Sequence, residues 1–144
     1  MQLASPLPRF RQGAAALLLV CWLVSLFLPA AWMTYDREAY AAWYGYEFLM
    51  LGWIGLIWFQ PAWLANIALL ATVLGLTRPF GRRFLLVSGL SSAVLALGSF
   101  DLALRPGFNG FGWYLPGFYL WLCTMLAAAA VSVAATRSRG PVQA

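Results

Sequence analysis

The side chains able to do chemistry are few. Asp36, Glu38, Glu47 and Asp101 are the only four carboxylates in 144 residues, all nine basic residues are arginine, and there is no histidine. No imidazole can act as a general base or haem ligand, no lysine can serve a Walker loop or a Schiff base, and no serine has a recognisable base partner. Catalysis would rest on carboxylates alone, so the sequence predicts a protein that is not an enzyme and binds no cofactor or metal. The carboxylates could instead hold a cation or face a basic partner. Asp36 and Glu38 flank Arg37 and read as solvated loop charges. Glu47 opens an apolar run, where a carboxylate also suits the positive end of a helix dipole. Asp101 precedes Arg105 by four residues, a spacing that pairs them if a helix continues. Asn66 is a polar amide inside an apolar run, and it must bond either a neighbouring helix or a substrate.

The elements that position these residues are membrane spans. The chain is 63% hydrophobic and 9% charged, outside the range of soluble globular domains. The pattern predicts an all-α integral membrane fold, a single transmembrane domain over 1–144 with four spans at about 14–33, 62–77, 84–100 and 118–136. The first run is about 30 Å long as a helix, the thickness of the hydrocarbon core. A leader cleaved near Ala30 is its competing reading, and the length of the run favours a retained span. Phe48 to Thr77 is thirty residues without a charge, or about 45 Å of helix, too long for one crossing. Pro61 supplies the break. The chain then restarts as a short span over 62–77, leaving 48–59 as a helix too short to cross, re-entrant or interfacial, before the second span.

Arginine placement orients the bundle. Arg9, Arg11, Arg78, Arg82, Arg83, Arg137 and Arg139 fall on one side, which the positive-inside rule makes cytoplasmic, and Arg37 and Arg105 on the other. Both termini are then cytoplasmic, and all four carboxylates lie outside. Single arginines between apolar runs mark span ends rather than a nucleic-acid surface. Cys21 and Cys123 sit in apolar runs at different depths and read as buried, unlinked thiols. Ser88, Ser91, Ser92, Ala96 and the run Ala127 to Ala130 have the small-residue spacing of helix seams.

Trp32, Trp43, Trp53, Trp58, Trp63 and Trp113 gather at the outer boundary, with Trp121 a turn deeper and Trp22 deeper still. An interfacial aromatic belt explains much of this, but the inner boundary has no tryptophan, and a belt alone does not predict that asymmetry. Glu47, Trp53, Trp63, Asn66, Asp101 and Trp113 are therefore the candidate ligand- or partner-binding residues.

The strings "GYEFLMLGWIG" (Gly45 to Gly55), "AWLAN" (Ala62 to Asn66) and "YLPGFYLWL" (Tyr114 to Leu122) resemble a group of small bacterial four-span inner-membrane proteins of unassigned function. Those proteins share a Gly-Tyr-Glu opening, a Gly-Trp-x-Gly core and an Ala-Trp-x-Ala-Asn re-entry. The resemblance implies a bacterial four-span protein and brings no activity. The expected role is a non-enzymatic accessory protein that docks a membrane-protein partner, or a second copy of itself, through its aromatic outer face. The alternatives are a small-ligand or lipid binding or transport protein with an outer pocket, and an immunity protein against a membrane-active toxin.

Overall fold

A computed structural model describes residues 9–36, 39–58, 61–100 and 111–137. Helix α1 (Arg9–Phe27) stops where Leu28 meets Pro29, because a residue before proline avoids the α region and proline has no amide hydrogen. The chain turns extended as β1 (Pro29–Asp36) and β2 (Ala39–Tyr44), where Trp, Thr and Tyr favour a pleated surface. Helix α2 (Gly45–Leu51) tightens into a 3-10 segment, Gly52–Trp58. A 3-10 turn, Pro61–Trp63, opens α3 (Leu64–Thr77). Helix α4 (Arg82–Leu97) ends in the 3-10 turn Gly98–Phe100. Strand β3 (Phe111–Tyr114) precedes α5 (Pro116–Arg137).

The protein is mostly helical. Among the described residues, Arg9–Phe27, Arg82–Phe100 and Pro116–Arg137 are long and apolar enough to cross a membrane, while Pro61–Thr77 is apolar but shorter. The four helices α1, α3, α4 and α5 pack side by side, with Leu69, Leu76, Leu85 and Met125 fully buried between them. Their outer surface stays apolar, with Leu17, Val20, Val87 and Val94 each more than half exposed. A helix apolar on every side fits a membrane span. The α4/α5 seam is built from small residues, as expected. A Cβ on Gly89 would run into Ser132 Oγ and stand 2.6 Å from Ser132 Cβ and 3.1 Å from the Ala128 carbonyl. Ser92 Oγ donates to the Met125 carbonyl across the same seam, at 3.2 Å.

Arg9, Arg11, Arg78, Arg82, Arg83 and Arg137 share one end of the bundle, at the start of α1 and α4 and at the end of α3 and α5. Arg11 is not solvated there. It is 3% exposed, and its Nη2 donates to the Gly75 carbonyl at 2.9 Å. That carbonyl belongs to the last turn of α3, where backbone acceptors lack helical partners and a cation suits the dipole.

The opposite end corrects the all-α expectation. β1 runs antiparallel between β2 and β3 in a three-stranded sheet ordered β2-β1-β3. The span expected over 14–33 therefore ends at Phe27, and Pro29 to Met33 belong to the sheet. The connections expected on either side of the second and third spans contain β2 and β3. The helix expected over 48–59 begins at Gly45 and passes into 3-10 geometry at Gly52. Phe59 and Gln60 lie outside the described residues, and Pro61 opens the next helical segment. Both thiols are free, and Cys123 is exposed on α5 rather than buried.

Candidate functional site

Period-two alternation divides the sheet into two faces. Ala31 pairs with Trp43 on one side and Tyr114 on the other, so these three side chains point the same way, toward the bundle. Trp32 and Trp113 take the other face, with ring centroids 6.3 Å apart. Beneath the inner face is a chamber of about 420 Å³, within the range of small-ligand sites. Ala31, Met33 and Trp43 form its roof, and Phe48, Leu49 and Ile54 of α2 and its 3-10 extension form one flank. Tyr114, Phe118 and Trp121 form the opposite wall, and Asn66 lies on the lining lower down.

Glycine lets the roof meet the bundle. Gly45 N–H donates to the Leu28 carbonyl just past the end of α1, at 3.2 Å. A Cβ there would collide with the Ser25 carbonyl and stand 2.8 Å from Leu26 Cα. Any larger residue at this joint pushes β2 and α2 off the bundle.

Asn66 is the most connected polar group in the chamber. Its Oδ1 accepts from Trp22 Nε1 at 2.9 Å and from Trp121 Nε1 at 3.0 Å, and its Nδ2 donates to the Trp63 carbonyl at 3.1 Å. One amide thus joins α1, α3 and α5 and fixes two indoles. Trp63 Nε1 in turn donates to the Leu49 carbonyl at 2.8 Å, holding α2 against the start of α3. Gly52 belongs to this contact, since a Cβ on it would stand 2.8 Å from Trp63 Cδ1. The close approach at Gly52 is thus to the Trp63 indole.

The aromatic wall is stacked in sequence. Tyr114 lies over Phe118 with centroids 3.8 Å apart, Phe100 meets both edge-on, and Phe118 contacts Trp121 at 5.8 Å. Tyr114 hydroxyl donates to the Ser99 carbonyl at 2.8 Å. Burial, with Tyr119 nearby, pushes its phenol up from 10.0 to about 12. A raised folded value means that the fold favours the protonated phenol. That contribution is complete below pH 10 and is lost as pH rises through about 12. Tyr114→Phe is expected to flatten the fall in thermal stability between these two pH values, measured by melting in mild detergent. An unchanged slope would remove Tyr114 from the wall's energetics.

Of the six candidate residues, the structure places Trp63 and Asn66 on the chamber. Glu47 is not among its lining; it caps α2, its Oε2 accepting from Tyr44 N–H at 2.6 Å. Trp53, on the 3-10 extension of α2, and Trp113, on the outer face of the sheet, are 52% and 58% exposed. Asp101 lies outside the described residues. Trp22, Trp43, Phe48, Tyr114 and Phe118 were not among the candidates. Strand alternation could have indicated Trp43 and Tyr114, had the strands been recognised.

The remaining hydroxyls on the lining are also engaged. Ser25 Oγ donates to the Trp22 carbonyl at 2.6 Å and Ser99 Oγ to the Ala96 carbonyl. Among the described residues no cluster of three His, Cys, Asp or Glu could hold a metal ion. The chamber lining is mostly apolar, and the hydroxyls and the amide named here are hydrogen-bonded within the protein. No protein-family model, curated protein or solved structure matches this chain, so the geometry of this chamber carries the functional argument by itself.

Proposed function

We propose that this is a four-span bacterial inner-membrane protein that binds a lipidic or other apolar ligand in the chamber under its outer sheet, without chemistry. The observation that carries the reading is an apolar space of about 420 Å³, roofed by strands and lined by aromatic rings. Its lining is overwhelmingly apolar, with Asn66 and a few hydroxyls already hydrogen-bonded within the protein, which suits an apolar occupant. α3 serves as the fourth span. In support, Asn66 accepts from Trp22 and Trp121 near one end of α3 and Gly75 accepts from Arg11 near the other, so this shorter helix is tied to its neighbours at both ends. The arginine end is cytoplasmic by the positive-inside rule, and the sheet faces outward.

Tryptophan emission tests the ligand. With dibromostearate added to the detergent-solubilised full chain, the chamber indoles Trp43, Trp63 and Trp121 should show a saturable quenching component. Ala62→Phe, at a lining alanine, should abolish that component and leave the quenching of exposed Trp53 and Trp113. Quenching that never saturates, or that survives the filled chamber, would sink the reading. A thiol at Arg82→Cys should resist a membrane-impermeant maleimide added from outside.

A second reading, docking of a protein partner, draws on the outward face. Trp113, Trp53, Met50 and the stacked pair Tyr44 and Tyr46 are all substantially exposed there. This is the aromatic composition of interface cores. Copurification of a second protein that is lost in Trp113→Ala would favour it.

A further inference from the structure

A second space lies on the membrane-facing side between α3 and α4, separate from the chamber. This groove has a volume of about 440 Å³ and is lined by Leu64, Ile67, Ala68 and Ala71 of α3 and by Phe84, Val87, Ser88 and Ser91 of α4, with Arg83 at one end. Its length is apolar apart from the hydroxyls of Ser88 and Ser91. Ser88 Oγ donates to the Leu85 carbonyl of its own helix, at 3.2 Å. The charge is all at one end, where Arg83 is exposed and the α3–α4 turn adds Arg78 and Arg82. Two arginines in the first turn of α4 oppose the helix dipole, which favours an anion at that end, and the N-cap Gly81 supplies no capping side chain.

We propose that this groove holds an anionic phospholipid, one acyl chain lying along α3 and α4 and the phosphate on Arg83. An apolar body with a single negative end is the chemistry of such a lipid, and the groove opens where acyl chains are the surrounding solvent. The inference rests on α3 and α4 lying in the bilayer and is independent of what fills the chamber.

Native mass spectrometry of the full chain in mild detergent tests it, with phosphatidylglycerol and phosphatidylcholine of identical acyl chains as probes. The wild-type protein should retain phosphatidylglycerol preferentially. Arg83→Ala should lower that preference about fivefold, Arg83→Lys should keep most of it, and Arg137→Ala, on α5 away from the groove, should leave it unchanged. Ala71→Phe should reduce retention of both lipids, while Ala62→Phe in the chamber should not alter the preference. Equal loss in Arg83→Ala and Arg137→Ala would mean a general surface charge effect and overturn the proposal. So would a wild-type protein that retains neither lipid, or that runs as a dimer cross-linked through Val87→Cys. Arg83 is exposed, so its variants decide the matter even if Ala71→Phe does not fold.

Discussion

Asn66→Leu is expected to destabilise the protein by about 2–3 kcal/mol, the sum of three lost bonds at roughly 1 kcal/mol each in a membrane bundle. Leucine keeps the branched shape of the side chain but leaves the Trp22 and Trp121 indole N–H groups without their acceptor. A buried donor deprived of its partner has a desolvation cost that a missing pair does not. Reversible unfolding in mixed micelles should show the loss. Trp22→Phe and Trp121→Phe should each cost less alone than Asn66→Leu, and each should cost less again in the Asn66→Leu background, because the bond is already gone and the substitution removes the unpaired donor. Full additivity would mean that Asn66 does not join the three helices energetically. The same substitution should release Trp63, whose carbonyl Asn66 holds, and so loosen the chamber.

Gly89→Ala should cost about 1–3 kcal/mol, the usual effect of overpacking a tight contact, and Gly89→Leu more. The Cβ would meet Ser132 Oγ, Ser132 Cβ at 2.6 Å and the Ala128 carbonyl at 3.1 Å. A flexible side chain could give way, but here two helix backbones must separate. Ser132→Gly removes two of the three obstacles, so Gly89→Ala with Ser132→Gly should regain stability relative to Gly89→Ala alone. Gly98→Ala is the control, since nothing lies within 4 Å of its Cβ position and its backbone is already right-handed helical, with φ −61°. If Gly89→Ala and Gly98→Ala unfold at the same detergent fraction, the α4/α5 seam is not closely packed.

The candidate site was only half legible. Asn66 stood out because an amide inside an apolar run needs partners, and Trp63 as one of the tryptophans gathered at the outer boundary; both are hydrogen-bonded. Glu47 also stood out, but its helix-opening position is accounted for by the cap it makes to Tyr44 N–H. Trp113 was chosen as an outer-boundary tryptophan, and it is Tyr114, its neighbour, that enters the chamber. One residue of offset reverses the face in a strand, and the string "FGWY" reads as a loop until its partner is known.

What the sequence determined by itself was the presence of helices long and apolar enough to cross a membrane, the bounds of three of the four bundle helices to within about two residues, a helical segment opening at Pro61, and the gathering of arginine at one end. These depend on local quantities, namely the length of an apolar run, the missing amide hydrogen of a proline, and the position of a charge between runs. Tertiary structure decided the sheet, the early end of α1, the burial of Arg11 and the chamber. Each needs a partner distant in the chain: Ala31 with Tyr114, Arg11 with Gly75, Trp22 with Asn66. Backbone hydrogen bonds at the mouth of the bundle must be satisfied by something. In this protein three short strands satisfy them across the ends of the helices, and the space they roof is where we place its function.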